Sequence, residues 1–165
     1  MAQTAEAHHL VLRWAHVLQV QVGRLHRSRL AVLEGSREVR ARRHHGPSDN
    51  EPFHLMHAEG HFTLTAAYAL TKALQLFDGK LRLPDGLDPE QLKYLRDAVE
   101  HWEDQGRAAE WLAARGFDPL GHQWTLDGPG ILGGGAVNDS SLRLWAERVY
   151  EDLVNFDPPS QPVGE

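Results

Sequence analysis

The chain has 165 residues, of which 41% are hydrophobic and 24% charged, a composition typical of one folded domain with its own core. It contains no cysteine, which excludes disulfides, thiolate metal sites and cysteine nucleophiles. No apolar run reaches the roughly 18 residues of a membrane span, and no signal-peptide pattern is visible, so we expect a cytoplasmic protein.

The net charge of -6 is unevenly distributed along the chain. Residues 1–50 contain eight Arg and four acids, whereas residues 51–165 contain nine Lys or Arg and nineteen acids. An acidic protein can still bind nucleic acid through a local basic strip. A basic helix that packs beside acidic ones explains the same distribution, so charge alone leaves both interpretations open.

The first predicted helix begins near Ala5 and carries apolar residues at alternating steps of three and four. Its apolar stripe consists of Val11, Ala15, Leu18, Val22, Leu25 and Val32. Arg29 falls at the position that this stripe skips. We expect Gly35 to end or interrupt the helix, with the pattern resuming over Arg37–His45 before Gly46-Pro47 stops it.

A second helix is predicted from the cap candidates Ser48-Asp49-Asn50, through Pro52 in its first turn, to about Phe77. Its predicted buried side consists of Leu55, Phe62, Ala66, Leu70, Ala73 and Phe77. Three histidines, His54, His57 and His61, occupy the opposite face. The last two have the i,i+4 spacing that can hold zinc, but one straight helix makes a poor tetrahedral site without a ligand from elsewhere. An exposed histidine patch is the alternative.

The third helix opens with Asp88-Pro89-Glu90-Gln91, which supplies an N-cap, a proline in the first turn and a glutamine at N3. Its stripe is Leu92, Leu95, Val99 and Trp102. A short helix over Ala108–Arg115 should end at Gly116. The last helix should start near Ser140 and bury Leu142, Trp145, Val149 and Leu153.

These elements predict an all-α bundle of four to five helices in one domain, residues 1–156, followed by a flexible tail, 157–165. A glycine-rich loop, residues 117–138, precedes the last helix, with a small hairpin expected around Asp127-Gly128-Pro129-Gly130. The glycines of this loop lack the Gly-Lys-Ser/Thr ending of a phosphate-binding loop, so we interpret them as a loop only.

The candidate chemistry lies in Arg96-Asp97-Ala98-Val99-Glu100-His101 on the third helix. At about 100° per residue, Arg96 lies roughly 80° and His101 roughly 140° from the centre of the core stripe. The i,i+4 spacing predicts pairs of Arg96 with Glu100 and of Asp97 with His101. Arginine suits phosphate oxygens because it is permanently charged and bidentate, and histidine is the usual proton carrier near neutral pH.

Cutting RNA without a metal needs a base for the ribose 2′-hydroxyl, an acid for the leaving oxygen and a cation for the phosphorane. One helix cannot easily aim both side chains at one phosphate, because they diverge by roughly 140°. Two copies about a two-fold axis can combine Arg96 and His101 in one cleft, so this hypothesis predicts a homodimer.

Here the chain resembles the ribonuclease branch of the HEPN superfamily, whose signature is Arg, four to six residues, then His, usually with Asn, Asp or His just after the Arg. Arg37–His44, Arg40–His45 and Arg115–His122 also have the spacing, but only Arg96 is followed directly by Asp, Asn or His and lies in the middle of a predicted helix. The resemblance implies a dimeric α-bundle and metal-independent endoribonuclease activity, with Arg96 and His101 catalytic and Asp97 supporting them, and no cofactor.

The resemblance also implies a toxin or phage-defence setting, with a cognate antitoxin or regulatory protein as a further partner. Arg37, Arg40, Arg42 and Arg43 form the most basic segment and are our candidates for RNA backbone contacts. They equally suit a helix end whose cations complement the dipole. Two alternative functions stay open: a non-catalytic helical dimerisation or partner-binding module, and a metal-binding bundle using His54, His57 and His61.

Overall fold

A computed structural model describes residues 2–41, 51–76, 87–100, 110–111, 113–116, 131–132 and 137–154. These residues are almost entirely helical, as an all-α chain requires. Helix α1 spans Ala2–Ala41, α2 Glu51–Gln75, α3 Pro89–Glu100 and α4 Asp139–Val154. Strands β1, Ile131–Leu132, and β2, Val137–Asn138, pair antiparallel, with Ile131 opposite Asn138. A membrane-spanning helix is not found among the described residues.

Helix α1 packs against two of the other three helices. It packs along α2 and along α4, while α3 packs on α2. All six residues of the predicted α1 stripe are buried, and they join residues of the other three helices in a single core cluster. The stripe of α4 is confirmed as well, since Leu142, Trp145, Val149 and Leu153 are each at most 3% exposed.

The prediction that Gly35 ends or interrupts α1 is wrong, because the helix continues to Ala41. A Cβ at Gly35 would meet no atom within 4 Å, so close packing does not explain the glycine. A glycine inside a helix costs only about 1 kcal/mol relative to alanine, which the hydrogen bonds on either side offset. The predicted continuation beyond Ala41, to His45, lies outside the described residues.

The position that the α1 stripe skips holds a buried ion pair. Arg29 is 8% exposed, and its Nη1 donates to Asp139 Oδ2 at 2.6 Å. Asp139 is the first residue of α4, directly after Asn138, whose Oδ1 accepts from the backbone N–H groups of Ser140 and Ser141 at 2.9 and 3.2 Å. Asn138 is therefore the N-cap, and Asp139 also complements the positive end of the helix dipole.

A second polar contact joins the opposite ends of α1 and α4. His8 Nε2 donates to the carbonyl of Leu153 in the last turn of α4 at 3.2 Å. Because Arg29 meets the start of α4 and His8 meets its end, the two helices run antiparallel. Most of the buried stripe of α1, from Val11 to Leu25, lies between these two contacts.

The predicted buried side of α2 is partly wrong. Leu55 and Phe62 are 51% and 50% exposed, although Ala66, Leu70 and Ala73 are buried as expected. The buried face is centred instead on Met56, Gly60, Thr63, Leu64, Ala67, Leu70, Thr71 and Leu74. Both sides of α2 carry apolar residues at helical spacing, so periodicity alone does not decide which side faces the core. Phe77 lies outside the described residues.

The smaller elements agree with the sequence in part. The α3 cap is confirmed, since the Glu90 N–H donates to Asp88 Oδ1 at 2.8 Å. Gly116 has a φ of 78° and donates its N–H to Ala113 at 3.0 Å, so it does end the short helical segment. The hairpin is displaced from its expected position, because β1 and β2 flank residues 133–136 rather than 127–130. Residues 117–130, 133–136 and 155–165 are outside the described ranges.

We expect Arg29→Met to lower the free energy of unfolding by about 3–5 kcal/mol, because it leaves the Asp139 carboxylate buried without its partner. Replacing both partners, as in Arg29→Met with Asp139→Leu, should recover most of the loss. The control is Arg143→Ala, whose exposed pair with Glu147 at 2.8 Å should contribute only about 0.5 kcal/mol. Chemical denaturation followed by circular dichroism measures all three. Equal losses for Arg29→Met and Arg143→Ala would contradict the assignment.

Candidate functional site

Helix α3 positions the candidate site on α2. Leu92 and Leu95 are at most 2% exposed and fix the helix in the core. Arg96 follows Leu95 by about 100°, which turns it away from the core and towards the neighbouring helix. The Arg96 side chain is 22% exposed, so solvent reaches it although most of its surface is covered by protein.

Arg96 lies on an aromatic ring of α2. The carbon at the centre of its guanidinium is 4.4 Å from the ring centroid of Tyr68, and Lys72 Nζ is 5.5 Å from the same centroid. A cation over an aromatic face is attracted by the ring's quadrupole, and arginine also stacks flat on it. Tyr68 is a site residue that the sequence analysis missed, because its contact with Arg96 depends on how α2 and α3 pack.

Asp97 binds Arg96 itself. Arg96 Nε donates to Asp97 Oδ1 at 3.0 Å, and Nη2 donates to the same oxygen. Neighbouring residues on a helix diverge by about 100°, so only the length of the arginine lets this pair form. The expected i,i+4 partners are not tested, since the Glu100 side chain and His101 lie outside what the structure describes. What is established is that a carboxylate occupies one edge of the guanidinium.

The side of α3 opposite Arg96 carries a second stack of rings and cations. Tyr94 stacks on Trp111 with ring centroids 4.5 Å apart and an interplanar angle of 26°. The guanidinium carbon of Arg115 lies 3.5 Å from the ring centroid of Trp111. His101, the other predicted site residue of this helix, lies outside the described residues.

The basic segment lies at the end of α1. Arg37 and Arg40 lie in its last two turns, while Arg42 and Arg43 lie outside the described residues. The structure adds Arg13, Arg24 and Arg27, which are exposed on the solvent side of the same helix. These three arginines are spread over several turns of α1, so they do not stand out in the sequence as a basic segment.

Two of the three candidate histidines of α2 lie against aromatic rings. His54 is exposed, and His57 and His61 are partly buried. The His57 ring meets Phe53 edge-on with centroids 4.4 Å apart, and the His61 ring lies 5.7 Å from Phe62. Across the described residues, no three His, Cys, Asp or Glu side chains are grouped as metal ligands. A metal site on this face would need a ligand from outside the described chain.

No family model, curated protein or solved structure matches this chain. The resemblance to the HEPN superfamily therefore depends on the residues from Arg96 to His101 and on the helical architecture. Within the described residues, the contacts of Arg96 with Asp97 and Tyr68 are the structural features of this motif.

We expect the Tyr68 ring to hold Arg96 with a coupling energy of roughly 0.5–1 kcal/mol. A double-mutant cycle of Tyr68→Leu and Arg96→Met, measured by chemical denaturation, isolates that energy. Tyr68→Phe keeps the ring and should retain the coupling, which separates the ring from the hydroxyl. A coupling energy of zero in the Leu cycle would mean that the contact does not position the arginine.

Proposed function

We propose that this chain is a metal-independent endoribonuclease of the HEPN type that cleaves RNA at a site shared between two copies. The observation that carries the proposal is the placement of Arg96. Its guanidinium lies half-buried on the Tyr68 ring, in contact with a carboxylate oxygen, at the residue where the motif begins. A guanidinium held in this way can bind a phosphate oxygen in the same geometry in which it binds the carboxylate.

In the proposed reaction the ribose 2′-oxygen attacks the neighbouring phosphorus and the bond to the 5′-oxygen breaks. One His101 takes the proton of the 2′-hydroxyl and the partner's His101 gives one to the leaving 5′-oxygen, while Arg96 stabilises the extra negative charge on the phosphorane. The products are a 2′,3′-cyclic phosphate and a 5′-hydroxyl end.

Asp97 has a more specific role in this proposal than the sequence alone suggests. Its carboxylate shares the Arg96 guanidinium, so an incoming phosphate competes with it for the same N–H donors. In the absence of substrate, Asp97 therefore positions Arg96 and offsets the positive charge of its guanidinium. RNA backbone contacts along α1, by Arg37 and Arg40 and by Arg42 and Arg43 beyond them, would supply the remaining attraction for a polyanion.

The experiment incubates purified protein with a labelled RNA and with a DNA of the same sequence, in the presence of EDTA. We expect only the RNA to be cut, because DNA lacks the 2′-hydroxyl. His101→Ala and Arg96→Ala should each lower the rate by about 100-fold or more, in the range of a lost general acid–base or a lost charge-stabilising donor. Mass spectrometry of the ends identifies the cyclic phosphate.

Arg143→Ala is the matched control, since it also removes a helix arginine that pairs with a carboxylate. It should cleave at the wild-type rate. Asp97→Asn keeps the oxygen that accepts from Arg96 and removes the charge, so tighter RNA binding is expected. Unchanged cleavage by Arg96→Ala and His101→Ala, or cleavage of the DNA, would overturn the proposal.

A non-catalytic helical interaction module is the second candidate, and one observation favours it. Leu55 and Phe62 lie on α2 and Leu76 directly follows it, and all three are 50–64% exposed. Large apolar side chains exposed together on one surface often mark an interaction site. Expression of the protein in bacteria separates the candidates, because a nuclease should halt growth and degrade RNA while His101→Ala should not.

A further inference from the structure

The Tyr68 ring has a second cation beside it as well as Arg96. Lys72 Nζ lies 5.5 Å from the Tyr68 ring centroid, and the guanidinium carbon of Arg96 lies 4.4 Å from the same point. The two cationic groups are therefore no further apart than those two lengths together. Lys72 follows Tyr68 by one helical turn, so it is displaced by about 6 Å along α2 from the residue on which Arg96 lies.

The two cations differ in how far their charge is compensated. Arg96 binds the Asp97 carboxylate, and both of these side chains stay partly exposed. Lys72 is exposed, and its Nζ donates to an uncharged acceptor, Gln75 Oε1, at 3.3 Å. Within the part of the chain that the structure describes, Lys72 pairs with no carboxylate. Lys72 therefore offers an anionic ligand the positive charge that Asp97 offsets at Arg96.

Arginine and lysine suit phosphates with different roles. A guanidinium binds phosphate through two parallel N–H groups in a fixed plane, whereas an ammonium acts as a point charge without a fixed direction. Directed contacts are needed at a phosphorus whose bonds change, because charge develops there on particular oxygens. A phosphate that only anchors the strand needs attraction alone. A nucleic-acid strand carries one negative charge per nucleotide, so a suitable anchoring phosphate lies next to the reacting one.

We infer that Lys72 is a substrate-binding residue that holds the phosphate next to the one that Arg96 binds. The inference rests on the proposed nuclease function and adds a requirement that the residues from Arg96 to His101 do not contain. The preferred substrate has at least two consecutive phosphates. Because Lys72 does not touch the reacting atoms, its loss should raise KM and leave kcat unchanged.

Two short RNA substrates with unphosphorylated ends test this assignment. A dinucleotide has a single phosphate, whereas a trinucleotide has two in succession. On the trinucleotide, Lys72→Gln should raise KM roughly 3- to 5-fold, the upper range for an exposed charge pair. On the dinucleotide it should match the wild type, because the second phosphate is missing. Lys72→Arg keeps the charge and should behave as the wild type on both substrates.

Binding is measured apart from cleavage, by fluorescence anisotropy of a longer labelled RNA strand with protein that carries His101→Ala. In that background, Lys72→Gln should weaken binding roughly 3- to 5-fold. It should also reduce the slope of log affinity against log salt by about 0.7, the value for one phosphate contact on a single strand.

Arg148→Gln is the control for net charge. Arg148 is an exposed cation on α4, which packs along α1, so it removes the same unit of charge from another part of the surface. This variant should change neither the KM on the trinucleotide nor the salt slope. Circular dichroism and chemical denaturation check that both variants keep the wild-type fold.

The inference and the proposed function fail separately. RNA cleavage with the wild-type KM for Lys72→Gln on the trinucleotide would overturn the inference and keep the nuclease. An equal rise in KM on both substrates would place Lys72 at the reacting phosphate and would also overturn it. Binding that depends on Lys72, in a protein whose wild type cuts no RNA, would keep Lys72 as a phosphate-binding residue and reject the nuclease. Absence of RNA binding would reject both.

Discussion

The buried ion pair between Arg29 and Asp139 is the contact on which the arrangement of α1 and α4 depends. Removing two charges from water costs several kcal/mol per ion, and only a close, well-oriented partner offsets that cost. An alternative register would leave either charge buried alone. The pair therefore specifies where α4 meets α1 more than it adds stability. Its position at the first residue of α4 also ties the register to the Asn138 cap.

The same logic of compensated charge applies to Arg96, but with a different outcome. Arg29 is almost fully enclosed, whereas Arg96 and Asp97 keep about a fifth of their side-chain surface exposed. An enclosed pair cannot exchange its partner for a ligand. A partly exposed pair can, because water and phosphate reach the Arg96 guanidinium without the helix moving. This difference in exposure separates a structural arginine from a candidate functional one.

Helix α2 contributes residues to the core, to the candidate site and to the exposed apolar surface. Its inner face buries Gly60 and Ala67, and one flank presents Tyr68 to Arg96. Its outward side holds Leu55 and Phe62. Both residues stay about half exposed, so one helix contributes to the core, to the candidate site and to an exposed apolar surface.

Elements whose signals are local or strictly periodic could be predicted from the amino-acid sequence. The stripes of α1 and α4, the Asp88 cap and the Gly116 helix end follow from side-chain spacing and backbone chemistry, and the structure bears them out. The buried face of α2 was decided only by tertiary packing, because its apolar residues satisfy two helical faces and periodicity cannot choose between them. The contacts of Arg29 with Asp139 and of Arg96 with Tyr68 were likewise beyond local reasoning. Each joins residues far apart in the chain, and only the packing of whole helices brings them within bonding distance.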